Sequence, residues 1–177
     1  MTGNSGKKFE KQFKASIPSY CLVYRLKDTA QAYNNSKETK FTWNNPCDFF
    51  IFDSISHILY CLELKTTKYK SMSFEDIKSN EKQNKMIHKH QILSLLGFSK
   101  FENVTAGFIL NFRDEKSGVE RTYFQNITDF SSMCQKINKV SFNEIDLIMN
   151  GNAIKISGIK KRVNYQWNLD EFLKLTH

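Results

Sequence analysis

Hydrophobic and polar positions change their period several times along the chain, and each change predicts an element. Phe9, Phe13 and Ile17 recur one helical turn apart and Pro18 cannot continue a helix, so a helix is expected from Ser5, capped by Asn4 or Ser5. Tyr20 to Leu26 reads as a short strand. The polar stretch KDTAQAYNNSKETKF that follows predicts a loop or a short stalk or arm over about 27–44. Next, NPCDFFIFDSISHILYCLELKTT (Asn45 to Thr67) carries two apolar runs across a turn, the pattern of a β-hairpin. In the lysine-rich stretch 65–85, Ser73 precedes Asp76 with capping-box spacing. A helix is expected over Asn80 to Gly97, with Met86, Ile87, Leu93 and Leu96 as its apolar contacts and Gly97 at its end. AGFILNF and RTYFQNI predict two further strands around a charged turn at Arg113 to Gly118. A helix over Ile127 to Ile137, a strand pair around Asn150-Gly151-Asn152 and a terminal helix from Asn168 complete the pattern.

The hairpin carries chemistry at one end. Side chains alternate along its second strand, so Leu59, Cys61, Glu63 and Lys65 share one face and Ile58, Tyr60, Leu62 and Leu64 the other. With Ser54 to His57 as a four-residue loop, Asp53 pairs with Ile58, and counting back sets Asp48 opposite Glu63. Two carboxylates about 5 Å apart at Cα can share a cation. A one-residue slip in this register sends Asp48 to the wrong face.

Length and composition then narrow the class. The chain has 177 residues, 40% of them hydrophobic, which favours one globular domain over 1–177 with a core of ordinary size. No apolar run reaches the roughly 18 residues needed to span a bilayer. The N-terminal MTGNSGKKFEKQF has no apolar core of a signal peptide, so a cytoplasmic location and no membrane partner are expected. Cys21, Cys47, Cys61 and Cys134 lack zinc-site spacing and read as reduced, buried thiols. Lys and Arg number 26 against 18 Asp and Glu, a formal +8 that suits a polyanionic partner. Lys7, Lys8, Lys68, Lys70, Lys160, Lys161 and Arg162 are candidate DNA phosphate contacts. The basic segment Lys155 to Arg162, followed by Tyr165 and Trp167, reads equally as charge beside stacking surfaces or as a strand edge guarded by lysines. Glu10 can face the edge of a site or form an exposed helix pair with Lys14.

Phosphodiester hydrolysis needs an activated water and neutralised charge at phosphorus, and a divalent ion held by carboxylates supplies both. Asp48 and Glu63 are suitable oxygen ligands, and Lys65 on the same face can orient or deprotonate water and stabilise developing charge. An arbitrary E-x-K in a strand is more often a simple salt bridge. Here Pro46-Cys47-Asp48 and Glu63-Leu64-Lys65 resemble the PD-(D/E)xK nuclease motif on its central hairpin. More narrowly, Asn4-Ser5-Gly6 with Phe9-Glu10, then Asp48, Glu63-Leu64-Lys65-Thr66 and His90-Gln91-Ile92, resemble in order the RecU family of Holliday-junction resolvases.

The resemblance covers roughly the first 110 residues. It implies an α/β fold with a central mixed β-sheet flanked by helices and a restriction-endonuclease-like core. It also implies a homodimer and a Mg2+- or Mn2+-dependent endonuclease that nicks four-way DNA junctions. On that resemblance Glu10 joins Asp48 and Glu63 at the metal, and Gln91 positions water or phosphate. The source is then bacterial, or a phage in a bacterial host. The interval from Lys65 to His90 is longer than that family's usual connection, and the interval around Arg25 to Trp43 is shorter than its stalk. The alternatives are a restriction-type or other branched-DNA nuclease with the same site, and a DNA-binding protein without turnover.

Overall fold

The computed structural model describes residues 3–26, 45–79 and 83–176, so the arm expected at about 27–44 lies outside the described residues. In chain order the elements are α1 (Gly3–Ala15), β1 (Cys21–Arg25), β2 (Phe49–Asp53), β3 (Ile58–Thr67), β4 (Ser71–Ser73), α2 (Lys89–Phe98), β5 (Val104–Asp114) and β6 (Val119–Asn126). There follow α3 (Ile127–Ile137), β7 (Ser141–Asn143), α4 (Glu144–Asn150), β8 (Ile154–Ile156), β9 (Gly158–Lys160), β10 (Tyr165–Trp167) and α5 (Leu169–Leu175).

A six-stranded sheet in the order β1-β2-β3-β5-β6-β8 forms the centre. Its β3–β5 pair is parallel and its other pairs are antiparallel. The sheet is therefore mixed and flanked by helices, as expected. Helix α2 lies in the crossover from β3 to β5, the connection that a parallel neighbour requires. Both faces are covered, which is why β3 and β5 read as nearly continuous apolar runs. One face packs Cys61, Phe108 and Leu110 against Ile92 and Leu95 of α2 and Phe130 and Met133 of α3. The other packs Tyr60, Leu62, Leu64 and Ile109 with Phe9 and Phe13 of α1 and Phe172 and Leu173 of α5. Burial of each such side chain stabilises by about 1.5–3 kcal/mol, so Phe9 and Phe13 fix α1 on the sheet beside the hairpin.

Several expectations are corrected. The helix expected from Asn80 begins at Lys89, because Ile87 is held extended: its amide donates to the Ser73 carbonyl and its carbonyl accepts from the Glu75 amide. Ile87 is buried in that extended stretch, Leu93 is 47% exposed, and α2 buries Gln91, Ile92 and Leu95. Gly97 lies inside the helix. Ser73 caps nothing: it belongs to β4, and its hydroxyl accepts from the Met86 amide at 3.1 Å. Around residues 150–152 there is no strand pair among the described residues; the segment ends α4, whose Asn143 and Asp146 form the capping box. Trp167 is not a stacking surface, being 2% exposed with its indole donating to the Thr122 hydroxyl. The Tyr165 hydroxyl donates to the Glu120 and Gly158 carbonyls.

Candidate active site

The hairpin has the expected register. Asp53 pairs with Ile58 and Phe49 with Leu62, the last pair of the ladder, so Asp48 adjoins the Glu63 end of β3 without being a ladder partner of Glu63. The loop is stabilised by its own first residue: the Asp53 carboxylate accepts from the Ile55 amide at 2.8 Å and the Ser56 hydroxyl at 2.7 Å. At the other end the Asp48 amide donates to the Leu62 carbonyl at 3.0 Å, and Asp48 Oδ2 accepts from the Leu64 amide at 2.7 Å. That second bond pins the aspartate side chain beside the backbone that carries Glu63.

Glu63 is buried and holds two partners. Lys65 Nζ lies 3.0 Å from its Oε1, and Gln91 Nε2 donates to the same oxygen. Gln91 is itself restrained, because its Oε1 accepts from the His88 amide at 3.0 Å at the start of α2. His88 Nδ1 in turn lies 3.0 Å from Glu75 Oε1, and Glu75 Oε2 accepts from the Lys89 amide at 2.6 Å. The His88 and His90 rings stack with centroids 5.6 Å apart. Thus the connection after β3 returns to lock the helix terminus that positions Gln91.

Glu10 does not pair with Lys14 as in the bland alternative. Its carboxylate accepts from Arg25 Nε at 2.8 Å and from the same guanidinium's Nη2. Arg25 shares a face of β1 with Cys21 and Val23, both of which pack toward α1, so strand alternation carries it to the helix. Glu10 raises the proton affinity of both Asp48 and Glu63, so α1 and the hairpin end share one electrostatic neighbourhood. Burial pushes the Asp48 carboxyl up, opposed by the Leu64 amide and by Lys65 and Arg25. Burial also pushes Glu63 up, with Asp48 adding to it and Lys65 opposing.

Among the described residues no group of three or more His, Cys, Asp and Glu side chains is placed to hold a metal ion. Asp48 and Glu63 nevertheless suit a hard divalent cation that keeps part of its water shell, since burial first, and their mutual and Glu10 charge second, penalise their ionised forms and a cation would offset that penalty. Glu10, the third expected ligand, stands toward them but is held by Arg25.

Lys7, Lys8, Lys68, Lys70, Lys160, Lys161 and Arg162 are all exposed. Lys8 and Lys160 line one crevice with Arg113; Lys68 and Lys70 line a second crevice that shares Arg113. A larger cavity of about 680 Å³ lies elsewhere, lined by Phe74, Leu96 and Cys134, away from the carboxylates. Sequence reasoning missed Arg25, Glu75 and His88. The alternation of β1 could have pointed to Arg25, but Glu75 and His88 depend on the Phe74–Ile87 bridge, which no periodicity announces.

No family model matches the chain. It is 30% identical over 179 residues to the SPbeta prophage-derived uncharacterized protein YotM of Bacillus subtilis (strain 168), across 95% of this chain and 84% of YotM. The chain belongs to the YotM family. The alignment spans the hairpin, α2 and the C-terminal strands alike, so the YotM relationship extends over the whole fold rather than over the site alone. No helix among the described residues is long and apolar enough to cross a membrane.

Proposed function

We propose that this YotM-family protein is a magnesium- or manganese-dependent endodeoxyribonuclease with a PD-(D/E)xK core, acting on branched DNA as a Holliday-junction resolvase. The observation that carries the reading is the hairpin end, where Asp48 accepts from the Leu64 amide next to Glu63 and Lys65 lies on the Glu63 carboxylate. Asp48 and Glu63 would hold the ion, which when bound supplies an acidified water and neutralises charge at the scissile phosphate. Lys65 brings an ammonium to the same place, where it stabilises negative charge developing on phosphoryl oxygens. Gln91 fixes the rotamer of Glu63 and leaves its other carboxylate oxygen for the ion. Arg25 holds Glu10 while neutralising part of the acidic surplus beside Asp48. Exposed Lys8, Lys68, Lys70 and Lys160, in two crevices that share Arg113, would attract the DNA backbone. Symmetric cutting of a junction requires two such sites, hence a homodimer. The likeness to a prophage-derived protein supports a phage or bacterial origin.

The test is to incubate the purified protein with labelled four-way junction, flap and linear duplex, each with magnesium or manganese. Paired nicks in the junction, a dimeric mass by light scattering and weak competition by excess linear duplex are expected. Equal competition by linear duplex with a monomeric mass would remove the resolvase reading and leave a restriction-type nuclease. No cleavage of any substrate would remove the enzyme.

A further inference from the structure

The turn after the proposed catalytic strand presents an aromatic ring between two lysines. Tyr69 is 65% exposed, with Lys68 Nζ 5.9 Å from its ring centroid and exposed Lys70 on its other side. The turn is ordered: the Tyr69 amide donates to the Thr67 hydroxyl at 3.0 Å. Immediately afterwards β4 pairs with β7, setting Ser71 against Asn143 and so bringing the turn beside the start of α4. Between them lies a crevice of about 490 Å³ whose walls include Tyr69, Lys70, Arg113, Asn143 and Ile145. Ile145 is 69% exposed, so a large apolar side chain and an aromatic ring both line this crevice without being buried.

The charge around the crevice is unequal. Arg121 is matched by Glu144, with three guanidinium–carboxylate hydrogen bonds of 2.8–3.0 Å. Arg113 donates to the Thr66 hydroxyl at 2.9 Å and lies 3.4 Å from the Glu115 carboxylate, which is largely exposed. Lys68 and Lys70 add two further cations, and Asp114 is the remaining acid of the lining. An aromatic face beside surplus cations fits one class of ligand better than others: a nucleotide, whose base has a π-face and whose backbone is anionic. Paired bases in a duplex are already stacked on their neighbours, so only an unpaired base can use such a platform.

We propose that the crevice between the 68–70 turn and α4 receives an unpaired nucleotide of the substrate, its base stacked on Tyr69 and its phosphates against Lys68, Lys70 and Arg113. This rests on the reading of the protein as a DNA-acting enzyme and gives that enzyme a preference for branches that offer an unpaired nucleotide, such as a flap or an opened junction centre, over continuous duplex. Tyr69 is a substrate-contacting residue here, with no part in the hydrolytic step. Tyr69 stands four residues beyond Lys65, a span of about 13 Å in extended chain, so the unpaired base would lie a nucleotide or two from the bond to be cut.

The test is fluorescence anisotropy without divalent ions, using a labelled flap, a four-way junction and a linear duplex, on wild type and on Tyr69→Ala, Tyr69→Phe and Tyr69→Leu. Tyr69→Ala should weaken flap binding about 5- to 100-fold, the loss of one base–aromatic stack, while duplex affinity stays within about twofold. Tyr69→Phe should retain wild-type flap affinity and Tyr69→Leu should not. 2-Aminopurine in the unpaired arm should be quenched by wild type and not by Tyr69→Ala. Unfolding temperatures should agree among the variants, since the side chain is exposed. Equal flap affinity in wild type and Tyr69→Ala, or equal loss on flap and duplex, would overturn the proposal while wild-type nicking keeps the nuclease reading. A wild-type protein that binds none of the three DNAs would overturn both.

Discussion

Gln91 and Glu63 are joined across the gap between α2 and β3 by a hydrogen bond from the glutamine Nε2 to the carboxylate Oε1. The contact links residues 28 apart in the chain and ties the crossover helix to the strand that bears the acid. Because Gln91 Oε1 is already occupied by the His88 amide, the side chain cannot rotate away without abandoning a second bond. Replacing it with alanine should lower the cleavage rate about 10- to 100-fold, the range typical of partners that orient metal-site ligands. DNA affinity measured without metal should stay unchanged, and a wild-type cleavage rate for Gln91→Ala would contradict the positioning role.

Asp48→Asn and Glu63→Gln should each abolish nicking while leaving gel-shift affinity for DNA close to wild type. Lys65→Ala should reduce turnover by about two to three orders of magnitude, the effect of removing one preorganised donor from a developing oxyanion. Wild-type nicking by both carboxylate variants would sink the assignment of the site.

Stability should fall as pH rises across the range where the carboxylate pair ionises. Unfolded carboxyls lose their protons near pH 4, whereas Asp48 and Glu63 are pushed up to about 6 and about 7 in the fold. The native state therefore binds more protons between these values, and the sign of the linkage makes unfolding easier with increasing pH. Asp48→Asn removes one ionisation yet keeps an acceptor for the Leu64 amide. It should unfold at a temperature about 2–6 °C above wild type at pH 8, corresponding to roughly 1–2 kcal/mol, with the gap narrowing toward pH 5. Added magnesium should raise the wild-type unfolding temperature and leave that of Asp48→Asn unmoved. Thermal scans at both pH values check both statements.

Trp167→Phe should destabilise the protein by about 1–3 kcal/mol, because it leaves the buried Thr122 hydroxyl without its indole donor. DNA binding at matched folded fraction should be unaffected. A selective loss of DNA affinity would instead restore Trp167 as a stacking surface, against its burial beneath α1, where its ring meets Phe9 at 5.2 Å.

The hairpin was legible because its signals are local. A four-residue loop and two apolar runs determine the register from Asp53–Ile58 to Phe49–Leu62, and the hydrogen bonds of Asp48 to Leu62 and Leu64 then hold it beside Glu63. The pairing of Glu10 with Arg25 was not legible, since it depends on two separate elements docking on one face. Residues 83–88 misled the helix pattern for a similar reason. Met86 has helical spacing with Leu93, but tertiary pairing of the adjacent Ile87 with Phe74 overrides that preference. Trp167 misled in the opposite direction: a large aromatic beside lysines looks like a nucleic-acid platform until the neighbouring α1 covers it.

The bridge between Phe74 and Ile87 also bears on how this chain can change over time. It fastens both ends of the intervening stretch to the body of the protein, so the return path to Gln91 is independent of how many residues lie between. Doubling the length of a flexible connection adds only about 0.6 kcal/mol of closure entropy. A change in the number of residues between Phe74 and Ile87 should therefore leave the hydrogen bond from Gln91 to Glu63 in place.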